Sequence, residues 1–214
     1  MKDSLLRRCF RRGCSFRTMV TLLRGLFGAG VLVITTAGVA SATQPGPELV
    51  FLSPEQYHAR WGRPAPTAAE AVAETGPRSA TVVRSPMRRQ QSDGWAIIKW
   101  DERDLRGVST PVREGDNFLG YAHYAFEHNL TSRVPIHAAF QTHRPDKEFG
   151  ARAEYTSLAV DNRGGVRLTV RVIVQAASAT DDRVYKVTDG KNIGVITAYC
   201  EGTNSCPGWV NTIR

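Results

Sequence analysis

Several signatures of familiar chemistry are missing from this 214-residue chain. It has no P-loop, no G-x-S-x-G elbow, no G-x-G-x-x-G dinucleotide fingerprint and no H-E-x-x-H helix. Those absences exclude the familiar nucleotide-hydrolase, α/β-hydrolase, dinucleotide-dependent and zinc-protease designs. No internal repeat is present. A comfortable membrane span is missing too, because the apolar stretch from Gly25 to Val39 is too short for one.

That stretch follows a basic region with Lys2, Arg7, Arg8, Arg11, Arg12 and Arg17, and Ala40-Ser41-Ala42 supplies small residues after it. The order is that of a secretory signal, so residues 1–42 are expected to be removed on export to the cell envelope or beyond; a retained anchor is the other reading. The formal charge of +8 then changes meaning, because seven of the 28 basic residues and one of the 20 acidic ones lie in this segment. The remainder carries only +2, which is poor evidence for nucleic-acid binding by charge alone. Of the four cysteines, Cys9 and Cys14 leave with the signal. Cys200 and Cys206 remain, and in an exported chain they read most simply as a disulfide closing a small loop. Half a zinc site or a reactive thiol would be the rivals, but no second Cys or His pair stands at metal spacing.

Residues 43–92 are rich in proline, alanine and small polar residues and read as a flexible or loosely docked lead-in. Within it, Leu49–Leu52 could dock as an edge strand, and short helical turns fit Ser53–Gln56 and Pro66–Glu70. A compact domain is expected over 93–214. Trp95–Trp100 reads as a strand, Asp101–Asp116 as a charged loop, and Phe118–His128 as a short helix with Asp116 or Asn117 as cap and Asn129 as stop. Strands are then expected at Val134–Gln141, Ala153–Val160 and Val166–Gln175, with a turn at Asp161–Gly165. Val184–Thr188 and Ile193–Tyr199 would close the domain as a hairpin about Asp189-Gly190-Lys191-Asn192. The predicted class is α+β: a short helix ahead of, and packed on, an antiparallel sheet of about four to five strands.

Four of the five histidines, His123, His128, His137 and His143, crowd one window. Imidazole suits acid–base work near neutral pH. His123 and His128 point about 140° apart on an ideal helix, so they converge only if the helix ends before His128. A metal site and ordinary packing are the competing readings. His137, expected on a sheet surface, and His143, in a turn, are weaker candidates. Thr197 and Tyr199 share a face at the end of the last strand and bring two hydroxyls beside the cysteine loop. Arg167, Thr169 and Arg171 share a face of their strand, and Lys186 could join them from a neighbouring one; such a face suits phosphate, although a half-buried strand needs this alternation anyway.

The helix ending in histidines, the antiparallel strands and the closing Gly194-Val195-Ile196-Thr197-Ala198-Tyr199 resemble the small metal-independent ribonucleases of bacterial toxins, the barnase–EndoU–colicin–RelE type, over about residues 120–199. Cys200 stands where that group usually has proline. The resemblance implies RNA cleavage without cofactor or metal, and an immunity protein as partner. In it, His128 would take the proton of a ribose 2′-hydroxyl and His123 would protonate the leaving 5′-oxygen. Thr197 and Tyr199 would hold the phosphate, with Arg171 or Lys186 stabilising its charge. The alternative is a non-catalytic secreted or cell-envelope binding module.

Overall fold

The computed structural model describes residues 48–67 and 93–214. The expected signal segment and the end of the helical turn at Pro66–Glu70 lie outside the described residues. The architecture is α+β. Among the described residues, seven strands run as β1 (Leu49–Leu52), β2 (Ile98–Arg103), β3 (Ser109–Arg113), β4 (Lys147–Phe149), β5 (Arg152–Asp161), β6 (Val166–Gln175) and β7 (Gly194–Cys200). The helices are α1 (Pro54–Trp61), α2 (Gly120–Glu127) and α3 (Val134–Ala139), with a 3₁₀ turn at Gly208–Asn211. Strands β1-β5-β6-β7 form an antiparallel sheet, β4 pairs with β5 as its fifth strand, and β2-β3 form a separate two-stranded ribbon. The principal helices therefore interrupt the strand order instead of preceding it.

Alternation along β5 and β6 decides the two faces of the sheet. Tyr155 pairs with Val172, Ala153 with Val174 and Ala198 with Val172, and these side chains join Tyr124, Leu130, Ile136 and Phe140 in the main core. On the opposite face, Leu158, Val160 and Val166 pack against Tyr57, with Trp61 alongside, from α1. Ser53 begins α1 with a reciprocal capping box to Gln56, and Pro54 occupies its first turn. The proposed lead-in thus supplies an edge strand in register with β5 and a helix that covers one end of the sheet. The rest of that face keeps Arg171, Ile173, Thr197 and Tyr199 half-buried.

Three expectations are corrected. Val134–Ala139 is a helix, not a strand: Pro135 sits in its first turn, Ser132 Oγ accepts from the Val134 N–H, and Ile136, Ala139 and Phe140 are fully buried at helical spacing. The charged stretch read as a loop contains the second half of β2, Asp101–Arg103, and β3, whose Thr110 and Val112 are buried, Val112 in the main core. Val184–Thr188 does not form a hairpin with β7; it makes one bridge, Ala179 to Lys186, and buries Tyr185 and Val187 in a satellite core with Trp95 and Ile193. Arg113 explains that last outcome. Its buried guanidinium donates to the carbonyls of Ala96, Asn192 and Ile193 and pairs with Asp189 at 2.9 Å, so the expected turn is held by tertiary contacts.

Candidate functional site

The site grows from the start of α2. Gly115 and Gly120 meet back to back in the left-handed region; a Cβ on Gly120 would lie 2.7 Å from the Gly115 Cα, and one on Gly115 would lie 2.0 Å from the Leu119 carbonyl oxygen. Asp116, buried beside them, accepts from the N–H groups of Phe118 and Leu119 and from the Tyr185 hydroxyl at 2.9 Å. Neither Asp116 nor Asn117 caps the helix, which starts at Gly120 after Leu119 with no side-chain cap; Asp116 instead ties the turn before it to the satellite core. From this start, His123 faces β7.

α2 stops at Glu127, and His128 leaves the helical path with φ −113° and ψ 4°. Asn129 turns the chain with φ 51°, a conformation that asparagine tolerates better than most residues. The stop brings the two imidazoles into edge-to-face contact, with ring centroids 5.3 Å apart. On its other side the His128 ring lies 5.9 Å from that of Tyr199. Thr197 lines the same open cleft, of about 240 Å³, as His123, with Phe118 and Ile196 as apolar walls. An irregularity in the β6–β7 register pairs Ile173 with Thr197 but Val174 with Val195, so Ile196 is the extra residue that bends β7 here.

The disulfide fixes this meeting point. Cys200 directly follows Tyr199 and is bonded to Cys206, and both are buried. The Cys206 N–H donates to the His128 carbonyl at 2.8 Å, and the Asn129 amide donates to the Cys206 carbonyl at 2.8 Å. One short covalent loop thus connects the tyrosine end of β7 to the histidine end of α2. Asn211 completes the arrangement: its carbonyl oxygen accepts from the N–H groups of Thr131 and Ser132, and its amide donates to the Asn129 carbonyl.

Chemistry within the cluster is constrained by its hydrogen bonds. His123 Nδ1 lies 2.9 Å from the Asn117 carbonyl. A carbonyl only accepts, so Nδ1 carries the proton and Nε2 is the ring atom left to exchange one. Burial pushes the Tyr199 phenol above its ordinary pKa, with nearby Glu201 and Glu154 adding to the rise and Arg171 opposing it, so the hydroxyl stays a donor. The Thr197 hydroxyl is buried and has no hydrogen-bond partner. Buried hydroxyls are ordinarily paired, which makes this one an unmet hydrogen-bonding group in the wall of the cleft.

The basic residues separate. Arg171 lies opposite Tyr199 in the β6–β7 register, but its guanidinium is held between Glu154, at 3.0 Å, and Glu201. Arg167 sits at an irregular position near the start of β6, paired with Asp161 at 2.7 Å, away from the cleft. Lys186 is exposed on the loop before β7, not on a neighbouring strand. Neither joins Arg171 to make a cationic face. His137 and His143 are also elsewhere, each held by a carboxylate. Residues that sequence reasoning missed are Arg113, Glu154, Glu201 and Asn211, which act across long chain separations and leave no local pattern. Asparagine near a helix stop was legible; its partner 82 residues later was not. No group of three or more metal-ligating side chains occurs among the described residues.

No family model, curated protein or solved structure matches the chain.

Proposed function

We propose that the cleft between α2 and β7 cleaves RNA by metal-independent phosphoryl transfer. The observation that carries this reading is the contact of two imidazoles beside an unpaired Thr197 hydroxyl and a phenol kept protonated by burial. In this reaction His128 takes the proton of the ribose 2′-hydroxyl, and the 2′-oxygen attacks phosphorus. His123 delivers a proton from Nε2 to the leaving 5′-oxygen, giving a 2′,3′-cyclic phosphate and a 5′-hydroxyl. The rings touch edge to face, so the phosphate lies over the pair and not between them. Thr197 and Tyr199 donate to its non-bridging oxygens as charge builds there. Arg171 reaches the phosphate only by giving up one of its carboxylate partners, so its first task is to fix the sheet face beside Tyr199.

The test is RNA cleavage by the purified, oxidised protein in excess EDTA, beside a His128→Ala variant of unchanged fold. Cleavage that survives chelation and disappears in the variant supports the reading; equal cleavage by both removes it. A non-catalytic secreted binding module is the second reading, favoured by the charge compensation of Arg171. A folded, oxidised protein that cleaves no RNA supports it. An immunity protein that covers the cleft belongs to the first reading alone.

A further inference from the structure

The turn ahead of α2 holds a buried carboxylate that the proposed reaction does not use. Asp116 and its partner Tyr185 are both buried. One Asp116 oxygen, Oδ1, accepts from the Phe118 N–H at 2.8 Å and from the Leu119 N–H at 3.3 Å. The other, Oδ2, accepts from the Tyr185 hydroxyl at 2.9 Å. The Asp116 N–H in turn donates to the Leu119 carbonyl at 2.9 Å and closes the turn. Trp95 meets the Tyr185 ring edge to face, with centroids 5.0 Å apart, and packs the phenol in place. These three donors to Asp116 are all neutral, so its negative charge is carried by the dipoles around it. A buried charge polarises the groups bonded to it more strongly than the same charge would in water.

One of those donors leads to the histidine pair. The Phe118 N–H and the Asn117 carbonyl belong to the same peptide group, and in a trans peptide they point in opposite directions. The N–H points at Asp116 Oδ1, and the carbonyl oxygen lies 2.9 Å from His123 Nδ1. Imidazole, peptide and carboxylate therefore form one chain of hydrogen bonds in which each donor points toward Asp116. We infer that Asp116 is a positioning residue for His123, acting through the Asn117–Phe118 peptide to hold the ring proton on Nδ1 and leave Nε2 as the exchanging atom. An N–H bonded to an anion shifts electron density to the carbonyl oxygen of its own amide, which becomes a stronger acceptor. That carbonyl takes over part of the work of a carboxylate placed directly on the imidazole, without bringing a negative charge into the cleft. The effect on rate rests on the phosphoryl-transfer reading; the effect on the ring tautomer does not.

The experiment reads the His123 tautomer from its ring-nitrogen NMR shifts in the oxidised protein, at a pH high enough to leave the ring neutral, in the parent and in Asp116→Asn. Asparagine keeps an oxygen for the Phe118 and Leu119 N–H groups and turns its amide to the Tyr185 oxygen, so the turn survives while the charge is lost. The parent is expected to hold the proton on Nδ1, and the variant to pass a measurable share of it to Nε2. On RNA, kcat should fall about tenfold with KM unchanged, the low end of the cost of removing the outer partner of an oriented, metal-bound histidine. Asp116→Ser, whose hydroxyl can make the same turn bond, should shift the tautomer likewise and serves if the asparagine variant does not fold. An unmoved tautomer in the folded variants, or a lower thermal midpoint with kcat unchanged, overturns the proposal. If the parent cleaves no RNA, the catalytic reading fails by itself, and the tautomer alone decides the positioning role.

Discussion

Two sets of histidines stand apart in the fold, and their partners differ. On the β7 side, His123 and His128 meet each other and Tyr199, and the one acceptor held by His123 Nδ1 is a neutral carbonyl. Toward β1, His137 donates to Glu102 at 2.9 Å and His143 to Glu55 at 2.6 Å. A carboxylate holds a ring by charge as well as direction, whereas a carbonyl holds it by direction alone. His123 is oriented by a carbonyl acceptor, whereas His137 and His143 are each bonded to a carboxylate. The same residue type, spaced within one short window, acquires two uses from its neighbours.

The largest effect that would break this comparison is on catalysis. His128→Ala should lower RNA cleavage by about 10²–10⁴-fold, the range for a lost acid or base, with the thermal midpoint little changed. His137→Ala and His143→Ala should leave cleavage within twofold of the parent; an equal loss in all three would erase the distinction. Next comes the tether. Replacing Cys200 and Cys206 together by serine should cost about 2 kcal/mol of stability, as expected for so short a loop, measured by denaturant unfolding. Cleavage should fall with it even well below the unfolding midpoint, because His128 and Tyr199 lose their shared anchor.

A smaller effect sharpens the β1 side. Glu102 is buried and accepts from Arg133 through one oxygen and His137 through the other. Glu102→Gln should destabilise the fold by about 1–2 kcal/mol, since both partners are half exposed and water replaces part of the loss, and cleavage by the folded variant should persist. The smallest effect is in acid. The His143 backbone N–H chiefly, with the imidazole and Thr142, holds the Glu55 carboxyl below its ordinary pKa of 4.5. The unfolded chain then takes up this proton first as pH falls. The contact adds stability above about pH 4.5 and loses it as pH drops through the lower folded value. Comparing thermal midpoints of the parent and Glu55→Gln across this range should show the gap close in acid; a constant gap would contradict the assignment.

Much of the fold was legible where local pattern and burial agree. Alternation in Ala153–Val160 and Val166–Gln175 identified β5 and β6; a helix ending before Asn129 was also legible, but its packed face was not, since Tyr124 is the buried side chain and Phe126 is exposed. Sequence failed where a distant side chain decides the outcome. Val134–Ala139 has strand-forming residues but packs as a helix on β5, and Asp189 is drawn to Arg113 from 76 residues away. The same division holds at the candidate site. Thr197 and Tyr199 could be placed on one face from their spacing alone. The charge state of that face could not, because Arg171 is bracketed by Glu154 and Glu201, 17 and 30 residues distant.

Asn211 has a consequence for how the site loop moves. With one amide it satisfies the N–H groups of Thr131 and Ser132 and the carbonyl of Asn129, the exchange a neighbouring β-strand would otherwise provide. The loop after His128 is therefore bonded as a strand edge would be without belonging to a sheet. The backbone of Asn129, Thr131 and Ser132 is thereby tied to the 3₁₀ turn some eighty residues downstream, so the end of α2 and the C-terminal turn are expected to open together.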